Sequence, residues 1–237
     1  LYLAVASASA MIIVNTVIYV RESLNGSETD VAIALAAAGA GSMLAALSLP
    51  KLLDRVADRP VMLTGGITMA VGVGLIATAP SFLQMLPVWF LVGLGWSLVQ
   101  TPAGRVVNRS SSSADRSAYF SAQFALSHAC WLIFYLVAGE SGTCFGVETT
   151  ALLLSVCIVG FTLLAARLWP KQDLSTLTHD HPEMFHEHKH VHDEHHDHDH
   201  EGWEGPEPHS HPHRHKATRH SHTYVIDDHH ATWPNSP

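Results

Sequence analysis

Long apolar runs without a single charge dominate the first 170 positions. Residues 1–20 hold no charged side chain, and neither do residues 31–50. The stretch 60–104 stays free of charge for 45 residues, and Ala79-Pro80-Ser81 near its middle marks a turn between two runs. Residues 117–139 and 149–166 repeat the pattern. A bilayer core about 30 Å thick takes roughly 20 apolar residues as a helix. Lipid offers the backbone no water, so runs of this length must satisfy their own hydrogen bonds as helices. The pattern predicts an all-α membrane protein with six transmembrane helices over residues 1–170.

The polar positions between the runs supply an orientation. The connections 51–59, 105–116 and 167–171 hold Lys51, Arg55, Arg59, Arg105, Arg109, Arg116, Arg167 and Lys171. The alternate connections hold only Arg21. Basic residues gather on the cytoplasmic face of membrane proteins, so the pattern predicts a plasma (inner) membrane protein with its C-terminus in the cytoplasm. Small residues crowd the runs, as in Ala36-Ala37-Ala38-Gly39-Ala40-Gly41 and at Gly65, Gly66, Gly72, Gly74, Gly93 and Gly95. They let helix backbones approach closely where lipid gives no hydrophobic drive to associate.

Composition changes abruptly after Trp169-Pro170. Residues 1–170 carry eight basic and eight acidic side chains, whereas 171–237 carry five and thirteen, so the net charge of −8 belongs to the tail. Eighteen of the 19 histidines lie there too. The chain thus divides into a six-span membrane domain, 1–170, and a His-rich tail, 171–237. Proline, glycine and charge leave the tail little apolar surface to bury, which predicts a disordered segment in the absence of metal. No basic patch for nucleic acid is present, and an acidic tail repels phosphate. Cys130, Cys144 and Cys157 lie in or beside apolar runs and read as inert thiols. No phosphate-binding Gly-Lys loop or catalytic constellation appears, so no enzyme and no ATP-driven pump is expected. The chain opens Leu1-Tyr2-Leu3, straight into its first span, which reads as the C-terminal portion of a longer protein.

The tail's side chains suggest metal. Histidines recur at His179, His181, His186, His188, His190, His192, His195, His196, His198 and His200. They resume at His209, His211, His213, His215, His220 and His222. Imidazole is the commonest ligand for borderline divalent ions, and spacing at i, i+2 lets a chain present successive rings on one side. One methionine and no cysteine in the tail favour Ni²⁺, Co²⁺ or Zn²⁺ over cuprous ion. Such an ion is expected as cargo or tail ligand, and no resident cofactor is expected.

Between the second and third runs the sequence reads Leu49-Pro50-Lys51-Leu52-Leu53-Asp54-Arg55-Val56-Ala57-Asp58-Arg59-Pro60. This resembles the loop motif of major facilitator superfamily permeases: an Asp-Arg pair, a turn residue and another basic residue before the next helix. Pro50 stands where the family commonly has glycine, and Asp58 replaces its usual second glycine. The resemblance covers residues 1–170 and implies spans seven to twelve of a twelve-span permease. Partners would then be the bilayer, metal ions and a missing N-terminal half of the same chain. It also implies that Asp54, Arg55 and Arg59 latch one conformation of a rocking bundle. A carboxylate near a helix start has its own reason to pair with guanidinium groups.

Polar groups inside spans are candidates for the transport pathway. In the fifth run, Ser121, His128 and Tyr135 recur every seven residues and share a helix face, with Gln123 on a neighbouring stripe. Histidine can carry a proton or touch a metal ion. Asn15 and Gln100 are weaker candidates. With the His-rich tail, the whole is similar to bacterial nickel-resistance permeases, which implies proton-coupled export of nickel, with cobalt or zinc as alternatives. A small-molecule efflux permease whose tail only buffers or senses metal is the rival, and a membrane-anchored metal store is a third reading.

Overall fold

In this computed structural model the chain is described over residues 1–112, 114–170, 176–181, 184–190, 209–215 and 218–223, the last four stretches as backbone. It divides into two compact units, Leu1–Asp173 and Leu174–Pro237. The first is built of six helices, each long and apolar enough to cross a membrane: α1 (Tyr2–Ser23), α2 (Glu28–Leu53), α3 (Asp58–Ile76), α4 (Phe82–Arg109), α5 (Arg116–Phe145) and α6 (Val147–Leu168). The charge-free runs therefore became the six helices, and the turn at Ala79-Pro80-Ser81 separates α3 from α4.

Local chemistry sets the boundaries. Before α2, Ser27 Oγ accepts from the Asp30 backbone N–H, and the Asp30 carboxylate accepts from the Ser27 N–H at 2.7 Å. This reciprocal cap satisfies two donors that a helix start leaves orphaned. Before α4, the Ser81 N–H donates to Gln84 Oε1. Between α5 and α6 a single residue, Gly146, takes φ of 80°. A side chain resists that left-handed region, so glycine makes the tightest junction in the bundle.

Packing explains the small residues. α4 lies against both α2 and α3, and α3 lies against α6. A Cβ built on Gly41 would run into the Phe90 carbonyl, and one on Gly93 into the Ala38 carbonyl. α2 and α4 therefore meet backbone to backbone, the close approach expected of membrane helices.

Burial is uneven. α1 packs against α5 and α6 and touches α3 and α4, and 72% of its most apolar window is buried. The corresponding figure for α5 is 11%. α1 departs from regular α-helix at two π-helical segments, Met11–Asn15 and Tyr19–Ser23. Apolar side chains such as Leu47, Leu83, Phe124, Leu132 and Leu168 cover the perimeter, as suits a body whose solvent is lipid.

Of the second unit, four short strands are described: β1 (Thr176–His181), β2 (Met184–His190), β3 (His209–His215) and β4 (Thr218–Thr223). β1 pairs antiparallel with β4, and β2 with β3. The physical reason is visible in the composition: alternating residues with interspersed Thr, Phe and Leu also suit a pleated strand.

Candidate functional site

Two polar regions stand out in the bundle. The first is a charge cluster at the end of the bundle where the basic connections lie. Asp58 is the first residue of α3, where the helix dipole favours a carboxylate. Its side chain is fully buried and is paired with Arg105 Nε at 3.3 Å and Arg109 Nη1 at 3.6 Å. Arg105 and Arg109 are four residues apart on α4 and so share a face. Arg105 is 40% exposed and Arg109 is almost buried. The distances mark ion pairs rather than well-aligned hydrogen bonds.

Arg59, the next residue, turns elsewhere. Its Nη2 donates to the Ala166 carbonyl at 2.7 Å and its Nε to the Trp169 carbonyl at 3.2 Å. Those carbonyls close the last turn of α6, which has no intrahelical donors left for them. The start of α3 is thus tied to α4 by Asp58 and to the end of α6 by Arg59. Asp54 and Arg55 are exposed, and among the described residues their side chains make no ion pair. The structure therefore does not bring Asp54 together with Arg55 and Arg59.

The second region lies around α1. Ser7, Ser9, Asn15 and Thr16 are fully buried. Trp89 Nε1–H donates to Thr16 Oγ1 at 2.8 Å, and Tyr19 O–H donates to the Pro80 carbonyl at 2.8 Å. Asn15 ends the first π-helical segment, and its Nδ2 reaches the Ala138 carbonyl of α5 at 3.4 Å. Its Oδ1 is buried and has no hydrogen-bond partner among the described residues. π-Helical turns in otherwise regular helices often mark functional positions.

The stripe on α5 is divided. Gln123 faces inward and donates from Nε2 to the Tyr2 hydroxyl, joining α5 to α1. Ser121 and His128 are exposed, and Tyr135 is half-buried against the core. His128 Nδ1 stands 2.8 Å from the Phe124 carbonyl. A carbonyl only accepts, so in this contact Nδ1 carries a proton and Nε2 points away from the bond. The ring sits between Phe124, at 4.0 Å between centroids, and Trp131, edge-on at 4.9 Å. Gln100 is half-buried on α4, away from this cluster in sequence and element.

Among the described residues no group of three or more His, Cys, Asp or Glu is gathered to hold a metal ion. Of the tail histidines expected to bind metal, His179, His181, His186, His188, His190, His209, His211, His213, His215, His220 and His222 lie on the four strands. His192, His195, His196, His198 and His200 fall outside the described residues.

Sequence reasoning passed over Asp58, Arg105 and Arg109 as a cluster and Thr16 with Trp89 as a pair. Asp58 carried a usable signal, since an acid beside Pro60 at the start of a span suits a helix N-terminus. The i, i+4 spacing of Arg105 and Arg109 was the other half of that signal. Nothing in the sequence pairs Thr16 with Trp89, which are 73 positions apart.

No individually curated protein matches the sequence. A sequence model of the Major Facilitator Superfamily matches residues 1–198, which takes in all six helices and runs on into the tail. With six spans, close glycine packing and a charge-tied loop between α2 and α3, the chain belongs to the major facilitator superfamily of secondary membrane transporters.

Proposed function

We propose that this protein exports a divalent transition metal, nickel foremost and cobalt or zinc as alternatives, in exchange for protons. The observation that carries the reading is the tail: eighteen histidines among acidic residues, on a chain of a transporter family. The positive-inside pattern puts that tail in the cytoplasm of a cell whose plasma membrane holds the bundle. There it gathers or senses excess ion. Superfamily transporters work by rocking two six-helix halves about a site near the midplane. In this reading α5 turns Ser121, His128 and Tyr135 toward a second half, and His128 Nε2 is the group that meets proton or ion. Asn15, Gln100 and Gln123 supply polar lining or the packing behind it. The Asp58 and Arg59 ties support a half that moves as one body.

The test is flux in vesicles carrying the full-length protein, with an imposed proton gradient and Ni²⁺, Co²⁺ or Zn²⁺ in turn. Metal uptake into inverted vesicles that collapses with the gradient is the expected result. No flux of any of the three overturns the reading.

One observation favours a second reading. The described part of the bundle gathers no three-ligand metal site, and no Asp or Glu lies within its charge-free runs. A permease for small organic molecules, with a tail that only buffers or senses metal, fits that fact. Deleting residues 178–230 separates the two: it alters metal regulation in the second reading and metal flux in the first.

A further inference from the structure

The tail histidines are irregular in sequence but regular in register. β2 meets β3 with Met184 opposite His215, His186 opposite His213, His188 opposite His211 and His190 opposite His209. Between these pairs stand Phe185 with Arg214, Glu187 with Pro212 and Lys189 with Ser210. Alternate residues of a strand belong to opposite faces, and directly opposed residues belong to the same face. One face of this ribbon therefore holds seven histidine positions and Met184, and the other holds none.

The β1–β4 ribbon sorts in the same way. Leu177 opposes His222, His179 opposes His220 and His181 opposes Thr218 on one face. Thr176 with Thr223, Thr178 with Ser221 and Asp180 with Arg219 make the other. All eleven strand histidines thus fall on a single face of their own ribbon. Four pairs are histidine opposite histidine: 179 with 220, 186 with 213, 188 with 211 and 190 with 209.

We infer that the tail is a metal-closed hairpin, in which a divalent cation of the nickel, cobalt and zinc class bridges directly opposed histidines as rungs. The inference rests on the reading that the tail binds metal, and it says how. Opposed positions in an antiparallel pair have Cβ atoms about 5 Å apart, and metal–imidazole bonds are about 2 Å long. Two rings from opposite strands therefore suit one ion. A rung offers two protein ligands. Two ligands leave open coordination positions, so the ion exchanges readily and can be handed on.

The consequence is a switch in the chain's own shape. An isolated two-stranded ribbon is marginal in water. Each bridged rung fixes the register for its neighbours, because a one-residue slip would send one strand's histidines to the other face. Closure is then cooperative in metal. A flexible string of independent ligands has neither property.

The test compares two variants that each lose four histidines from the full chain in nanodiscs. The first, His186→Ala, His188→Ala, His211→Ala and His213→Ala, removes two whole rungs and keeps two. The second, His179→Ala, His186→Ala, His188→Ala and His190→Ala, removes one member of every rung and keeps none. Spin labels at Thr178→Cys and Ser221→Cys, with the three native cysteines replaced by serine, report closure as dipolar broadening during a Zn²⁺ titration. Bound Zn²⁺ is counted in parallel. The expected result is closure in the unaltered tail and the first variant. In the second, the Zn²⁺ needed rises at least about tenfold, because no second ligand is held at high effective concentration. Equal behaviour of the two variants, with Zn²⁺ still bound, overturns the rungs but leaves a metal-binding tail. No Zn²⁺ bound even by the unaltered tail overturns both.

Discussion

α1 and α5 are alike in sequence and opposite in placement. Each is a long apolar helix with a few polar residues near its middle, yet 72% of one window is buried and 11% of the other. In α1 the polar groups are enclosed: Asn15 and Thr16 bond across helices, to Ala138 and Trp89, while Ser7 and Ser9 bond within α1. In α5 one face carries Gln123, Ser127, Ala138 and Gly142 toward α1 and the core, while His128 lies on the perimeter. A polar residue in a span can thus be a strut between helices or a group presented outward. Stability should respond to the first kind and function to the second.

The largest effect belongs to the interior charge cluster. Asp58→Ala leaves Arg109, nearly buried, without its carboxylate. Removing one member of a buried ion pair costs about 3–5 kcal/mol, and the partial exposure of Arg105 puts the expected loss near the lower end. Thermal unfolding of purified protein in detergent measures it. Asp54→Ala, four residues earlier and exposed, should shift stability by less than about 0.5 kcal/mol. Equal losses from the two would erase the distinction between inside and outside at this loop.

The next effect tests the inward face of α5. Gly142 has no Cβ where Asn15 Oδ1 sits, and one built there would fall 2.6 Å from that oxygen. Gly142→Val therefore overpacks the α1–α5 contact, at a cost of about 1–3 kcal/mol. Gly139→Val, where the nearest side-chain atom is 3.9 Å from such a Cβ, is the matched control and should change little. A comparable loss is expected of Thr16→Val, which keeps the shape but strands the Trp89 N–H. A buried donor left unsatisfied costs about 1–3 kcal/mol, and Thr16→Ser, which keeps the acceptor, should lose less.

These contrasts also show what the chain made legible. Six helices could be read from charge-free runs, because the bilayer forces any such run to be a helix whatever its neighbours are. The family could be read from Asp54-Arg55, because that pair is local in sequence. Which carboxylate is enclosed was only half legible: Asp58 has the local signal of a helix start, but the arginines that enclose it come from α4, far along the chain. The same holds for the α5 stripe: spacing put Ser121, His128 and Tyr135 on one face but did not say what that face meets. In the tail, the i, i+2 rhythm of histidines was plain. Its cross-strand register was not, because each partner lies 19 to 47 positions away along the chain.

His128→Leu separates stability from function most sharply. The ring is exposed, and its bond from Nδ1 goes to the Phe124 carbonyl one turn back on its own helix. That carbonyl is already engaged in helix geometry, so losing the ring strands no distant partner. Unfolding should shift by less than about 0.5 kcal/mol. The smallest structural effect is then paired with a large functional one. If Nε2 meets the proton or the ion, proton-driven Ni²⁺ flux should fall at least about tenfold, the loss of one positioned proton-transfer group being worth 10²–10⁴ in comparable chemistry. His128→Gln, which keeps a polar tip but cannot exchange a proton as imidazole does, should fall as far. Full flux in both variants would return His128 to the role of a perimeter residue packed between Phe124 and Trp131, and would move the search for the coupling group to the α1 interior.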